Sequence, residues 1–506
     1  MNINQRRAGA TLTYIYMGVG FLVSLVFTPI SLRLLGQSEY GLYNLVASVV
    51  SYLGILNFGF GSAYVRYFSR YEVEEEEDKV ASLNGMFLLV FSVLGLVAVI
   101  AGFILARYTG VIFGSNLTAG ELAKARILMY ILVLNLGFSF PSIVFTSYIT
   151  ANERFIFQRV IQLVKVVISP FFVLIALYAG FASVGMALAT SLVNLAVELV
   201  YVLYAFRKLK MKFSFRGIER GLVLEISIFS AYIFINMVID QINWNVDKFI
   251  IGRYRGTASV AIYGVASTLH TYYQQISTAI SNVFIPRVHR IVAESDDNRV
   301  LTELFTRIGR VQFMITSLVS SGLIFFGKPF IMKWAGRGYA ESFDVALLLI
   351  LPVTVPLIQT IGIEIQRAKN LHKFRSIAYL FIAVANLVLS IPLTERYGAT
   401  GAALGTAISM IIGNGLVMNL YNHFRVGLDM VYFWKEILSF LPGLVLPAAA
   451  GILMVRYADL HKLTILLACG LLYVAVFCLS VWFFGMNDYE RKLVASPVRR
   501  IFKKKS

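Results

Sequence analysis

Charge is what this chain has least of. Only 14% of its 506 residues are Asp, Glu, Lys or Arg, against roughly 25% in soluble proteins. With 58% hydrophobic residues and a mean hydropathy of +0.75, a water-soluble domain is excluded, because it would have no place for this much apolar surface. Long polar connections are also missing. The longest inner ones, about 206–221 and 286–303, are too short to fold as a catalytic domain. Cysteine is nearly absent. Cys469 and Cys478 lie nine apart on one predicted helix, on opposite faces, so a disulfide between them or a shared metal is excluded. The five histidines, His270, His289, His372, His423 and His461, are scattered. No Walker motif is present, and "GFGSAY" near Gly59 lacks the strand–helix context of a nucleotide loop, so ATP is not the direct driver. These absences argue against an enzyme and predict neither cofactor nor metal.

What the chain does have is apolar runs of about 20 residues, repeated from end to end, each long enough to span a bilayer. The expected fold class is an all-α polytopic membrane protein with about 14 transmembrane helices, the first at 9–35 and 40–66, the last at 462–485. Alternating segments of about 10 residues, as in a transmembrane β-barrel, are not seen. The start, "MNINQRRAGATLTYIYMGVGFLV", reads as a retained first helix, because its apolar part outruns a signal peptide's and no small-x-small site follows. Pro352, Pro356, Pro442 and Pro447 fall inside predicted spans and predict bends.

The net charge of +18 is explained by topology. With the N-terminus inside, 31 of the 45 Lys and Arg fall on inner segments and 11 on outer ones. Inner segments collect such residues, so both termini are predicted to be cytoplasmic. Anionic membrane lipids are the expected partner of these cations, and nucleic acid is not. The acidic run "EVEEEED" reads as a solvated loop.

An internal repeat is visible. "LLGQSEYGLYNL" answers "IIGRYRGTASVAIYGVASTL", with Gly252 set against Gly36 and Tyr263 against Tyr43. "GMALAT" at Gly185 answers "GAALGT" at Gly401, and Phe155 answers Phe374. The common offset, near 216–220, makes helices one to six repeat as seven to twelve in the same orientation. The expected domains are a six-helix lobe at 1–206, a cytoplasmic linker at 207–221, a second six-helix lobe at 222–425, an added helix pair at 426–486 and a basic tail at 487–506.

One predicted span breaks the apolar rule. In "NMVIDQINWNVDKFIIG", Asn236, Asp240, Asn243 and Asp247 form one helical stripe, and Gln241, Asn245 and Lys248 a second. The next span aligns Ser267, His270, Gln274, Ser277 and Ser281. An ionised group at the bilayer centre costs about 2.5–3.5 kcal/mol even on the lenient insertion scale. These faces therefore meet each other, partners or water. The Asn, Gln and Ser side chains suit a closed hydrogen-bond network as well as a cavity. For Asp240, Asp247 and His270 a water-filled cavity is the better reading. Lys165 and Glu198 sit at similar depth on neighbouring spans, either as a buried salt bridge or with Lys165 turned to the cavity.

The segments "DKFIIGRYRGTASVAIYGVASTL", "TPISLRLLGQSEYGLYNLVASVVSYLGILNFGFGSAYVRYFSRY" and "YGATGAALGTAIS", with the span count and repeat, resemble the Wzx-type polysaccharide flippases. These belong to the multidrug/oligosaccharidyl-lipid/polysaccharide exporter superfamily. The resemblance covers essentially the whole chain. It implies a V-shaped, two-lobed bundle in the bacterial inner membrane, moving an undecaprenyl-pyrophosphate-linked oligosaccharide by alternating access. It implies a cationic path for the pyrophosphate, for which Arg33, Arg66 and Lys248 are candidates, with Lys165 as a further phosphate-binding cation. Asn243, Asp247 and Gln274 are further substrate-binding candidates, Asn and Gln being among the side chains that suit sugar hydroxyls. Asp240 and His270 are candidates for coupling to H⁺ or Na⁺. A polysaccharide polymerase and assembly proteins are partners the resemblance allows. A lipid II flippase and a multidrug antiporter share the fold and remain rival readings.

Overall fold

The structure, a computed structural model, describes residues 5–73, 76–216, 220–294 and 297–503. Glu74 and Glu75 of the acidic run, residues 217–219 of the linker, and Lys504 and Lys505 of the tail lie outside the described residues, as do the side chains of Arg6, Arg7, Arg499 and Arg500. The architecture is all-helical, as expected. By length and hydropathy, eight helices among the described residues can cross a membrane, or ten if two bent pairs each count as one span. The eight include expected pairs that run together as single helices broken at a glycine, as in Thr11–Val73 and Lys373–Val426.

The glycine breaks are tight reversals. Gly36 (φ 74°, ψ 172°) interrupts the Gln5–Leu53 helix and Gly256 (φ 78°, ψ −175°) interrupts Arg220–Glu294. A side chain at such φ clashes with the backbone, so glycine is the residue that fits. Asp247 and Tyr263 are 16 residues apart, which in a straight helix would be about 24 Å. Their side chains are hydrogen-bonded at 2.6 Å, so the limbs on either side of Gly256 lie alongside each other. The glycine that shares the Gly36 backbone conformation is Gly256, whereas Gly252 is set against Gly36 in the sequence. Gly252 is buried in regular helix, where a Cβ would strike Leu45.

Proline makes the other bends. The Ser342–Ile358 helix holds Pro352 and Pro356 and meets Thr360–Ala368 at 41°. Pro442 opens the Pro442–Tyr457 helix rather than kinking a span from inside. At the first helical position its missing N–H costs nothing, and the junction with Met430–Leu438 bends by 44°.

The chain packs as two units. The first comprises residues 1–264 with 394–399. Its core is aromatic: Tyr64, Phe87, Phe91 and Phe140 are essentially inaccessible, and the Tyr64 hydroxyl donates to Asn84, whose amide in turn donates to the Lys212 carbonyl at 2.8 Å. In the same unit Arg253 and Arg255, expected as outer-loop cations, cap helix ends. Arg253 donates to the carbonyls of Val111 and Ile112, both at 2.8 Å, and Arg255 to those of Thr394, Glu395 and Arg396.

The second unit comprises residues 265–393 with 400–506. Phe305 and Phe433 pack at 4.5 Å in one cluster, and Phe440, Tyr473 and Phe477 form another. Helix Asn298–Trp334 starts on Asp297 and Met430–Leu438 on Asp429, each carboxylate accepting from a backbone N–H of the first turn. Arg310, expected among the orienting cations of an inner loop, is instead buried within this unit. Large apolar side chains are exposed along the spans of both units, among them Val93, Ile100, Phe171 and Ile175 in the first and Phe381, Val388 and Leu471 in the second. Apolar surface on this scale needs lipid rather than water.

Candidate functional site

The polar limb before Gly256 is the place to build from. Asn243 and Asp247 turn inward, 9% and 1% exposed, while Asn236 and Asp240 of the same stripe are exposed. Asp247 Oδ2 accepts from the Tyr263 hydroxyl across the Gly256 reversal, and the buried Tyr52 hydroxyl is within electrostatic reach of Asp247. The neighbouring stripe is spliced into a chain of amides and hydroxyls. Asn245 donates to Gln241 at 3.1 Å, Gln241 to the Ser51 hydroxyl, Ser51 to the Ser48 carbonyl at 2.6 Å, and Ser48 to the Leu45 carbonyl at 2.7 Å. Lys248 is half-buried beside Asp247. One side of the limb is thus spliced by these hydrogen bonds, and Asp240 on the other is exposed.

The cations are spread out. Arg33 is exposed three residues before Gly36, and Arg66 is exposed on the Phe60–Val73 helix with its guanidinium 5.9 Å from the Tyr67 ring centroid. They sit on different helices, with the Gly36 reversal and the left-handed Phe58 and Gly59 between them. Lys165 and Glu198 are both half-buried on the adjacent helices Phe155–Tyr178 and Ala182–Arg207. They are electrostatic neighbours, yet among the described residues no direct ion pair joins them. The closed salt bridge weighed for them is not formed.

In the second unit the face of the limb after Gly256 is largely sealed. His270 is 4% exposed and Gln274 half-buried. The Gln312 amide donates to Ser281 at 2.6 Å and to Ser277 at 3.0 Å, and Tyr273 pairs with Thr354 at 2.6 Å. Tyr263, Gln312 and Thr354 were not anticipated as partners. Tyr263 is hidden by the reversal, whereas Gln312, Thr316 and Ser320 recur at steps of four on one helix, a periodic signal that could have found Gln312. Cys469 and Cys478 are free thiols.

A bundle of long apolar helices with bent spans and one polar helical hairpin has the fold of the multidrug/oligosaccharidyl-lipid/polysaccharide exporter transporters. It superposes on a lipid II flippase MurJ in an inward closed conformation with a TM-score of 0.72 at 18% identity, covering 96% of this chain and 99% of that one. An inward-facing multidrug resistance MATE family transporter of that superfamily gives a TM-score of 0.66 at 13% identity, covering 83% and 96%. The chain belongs to the polysaccharide biosynthesis protein family, whose family model matches residues 7–292. A protein of Shigella flexneri named "Putative O-antigen transporter" is 21% identical over 400 residues, which span 77% of this chain and 91% of that protein.

Proposed function

We propose that this chain flips an undecaprenyl-pyrophosphate-linked oligosaccharide, one polysaccharide repeat unit, from the inner to the outer leaflet of a bacterial cytoplasmic membrane, with both termini cytoplasmic. The observation that carries the reading is the limb before Gly256. Asp240 and Asn236 stay exposed and Lys248 half-exposed on a helix that belongs to an otherwise apolar bundle. Side chains that lipid penalises are kept where a hydrated substrate can meet them. Family membership and the Shigella flexneri relative support a lipid-linked sugar over a drug.

In this reading Arg33 and Arg66 bind the pyrophosphate at successive points, with Lys248 and Lys165 between. Asn243, Asp247 and Gln274 belong to the sugar path, Asp247 and Asn243 by way of the buried network behind it. Asp240 is the coupling residue for H⁺ or Na⁺, and His270, buried here, serves only in a conformation that wets it. Residues 1–206 and 222–425 act as repeated halves, a reading supported by the matching dihedral angles at Gly36 and Gly256. No covalent bond is made or broken.

The test is export of the polysaccharide in cells lacking their own flippase. The parent chain restores it, and an Arg33→Ala/Arg66→Ala variant that reaches the membrane at normal level does not. Normal export by that variant refutes the cationic path. Rescue of a lipid II flippase deletion, or efflux of a cationic dye from vesicles, would move the assignment to the respective rival.

A further inference from the structure

Beyond the transport path, one carboxylate holds three separate elements together. Glu121 lies in the first turn of the Ala119–Ala151 helix and forms a capping box with Thr118. Its Oε2 accepts from the Thr118 backbone N–H and hydroxyl, both at 2.9 Å. A cap needs no more than that. Yet Oε1 accepts two further bonds, from Ser38 at 2.7 Å and from Thr257 at 2.6 Å. Ser38 follows the Gly36 reversal by two residues and Thr257 follows Gly256 directly. Their hydroxyls are 3.3 Å apart. Beneath them the two turns touch backbone to backbone. A Cβ on Gly41 would stand 1.8 Å from the Thr257 carbonyl oxygen and 3.2 Å from the Ala261 nitrogen. All of these residues lie within the first packed unit.

We propose that Glu121 is a positioning residue that clamps the Gly36 and Gly256 turns shut, and that this junction parts and re-forms in each transport cycle. The chemistry fits a contact meant to be broken. Among the described residues no lysine or arginine pairs with Glu121, so its charge is held by hydroxyl and amide donors alone. Each is a hydrogen bond to a charged group, yet water can replace a hydroxyl donor when the junction opens. Removing one carboxylate cuts both links at once. The adjacent Glu39 differs. It is anchored by Lys124 and Ser183, which fixes the Gly36 turn to its own neighbours, so that the side-chain links from that turn to Thr257 are the Glu121 bonds and the Ser38–Thr257 hydroxyl contact. The cycle part of the proposal rests on the transport reading above; the clamp itself does not.

The experiment reads the clamp first without transport. In a chain with Cys469→Ala and Cys478→Ala, an Ala261→Cys reporter is placed at a fully buried site under the junction. Its reaction with a membrane-impermeant maleimide is followed in vesicles, with the melting temperature measured alongside. Glu121→Ala raises the labelling rate by at least about tenfold, the scale for losing a single hydrogen bond to a charged group. Ser38→Ala/Thr257→Ala leaves the capping box intact and gives a similar rise. Unchanged labelling in that double variant overturns the clamp and leaves Glu121 a helix cap. For the cycle, a Ser38→Cys/Thr257→Cys pair is oxidised in the transporting protein. Export stops and returns on reduction; full export by the oxidised form overturns the parting step. A reduced pair that moves no lipid-linked oligosaccharide, with labelling still raised by Glu121→Ala, supports the clamp while removing the function assigned to the chain.

Discussion

Arg310 with Glu490 and Lys165 with Glu198 are opposite charges on packed helices, and they could hardly be treated more differently. In the second unit Arg310 and Glu490 are 3% and 1% exposed. Both Glu490 oxygens accept from the guanidinium, at 2.6 and 3.1 Å, and the remaining N–H groups reach the Gly485 carbonyl, the Ser439 hydroxyl and the Glu436 carbonyl. Every donor is used. In the first unit Lys165 and Glu198 are half-buried, near enough to feel each other and without a direct bond. A saturated buried pair fixes one arrangement, because either partner left alone would be a buried charge. An unclosed pair can take a visiting ion or phosphate. The contrast is between a pair closed on itself and a pair that shares no direct bond.

The comparison breaks most visibly at Arg310. Arg310→Ala strands Glu490 and frees the Asp488–Lys503 helix from its anchor, at a cost of about 3–5 kcal/mol. Thermal unfolding in detergent should show a large fall in melting temperature and a loss of membrane-inserted protein. Arg310→Lys keeps the charge but loses the two-pronged geometry, and should fall between. Melting equal to the parent would mean that the pair is not structural.

Tyr263→Phe comes next. It removes the hydroxyl that Asp247 accepts from and should cost about 1.5–3 kcal/mol, the range for hydrogen bonds to charged groups. Gln312→Leu follows at about 1 kcal/mol, since Ser277 and Ser281 retain bonds to backbone carbonyls. If Gln312→Leu proved more damaging than Tyr263→Phe, the face carrying His270, and not the Asp247 hairpin, would be the more tightly determined part.

The sequence was legible where periodicity or composition carried the information. The all-helical membrane class followed from apolar runs, and the polar stripes of residues 236–248 were visible as stripes. What periodicity cannot give is the partner across a reversal. Asp247 and Tyr263 meet because Gly256 folds the chain back, and an expectation drawn on two straight helices has no way to place them together. The same limit hides which glycine reverses the chain, since Gly252 and Gly256 look alike until the backbone angle is known. Arg310 was read as one cation among many near a membrane surface. Its burial depends on Glu490, 180 residues away, and no local signal encodes that.

The smallest expected effect on stability is also the sharpest test of the contrast. Lys165→Met keeps the length of the side chain and removes its charge. With no direct ion pair to lose, and with an apolar group replacing a half-buried ammonium, the change should be within about 1 kcal/mol of zero and could be stabilising. If the two pairs differ as described, the same variant should still lose most of its export, because a cation that binds no neighbour is free to bind substrate phosphate. Glu198→Gln should again leave melting nearly unchanged. Paired measurements of melting temperature and polysaccharide export decide the matter. A Lys165→Met protein that melts far below the parent would make this pair structural after all, and one that exports normally would leave the lysine with no part in transport.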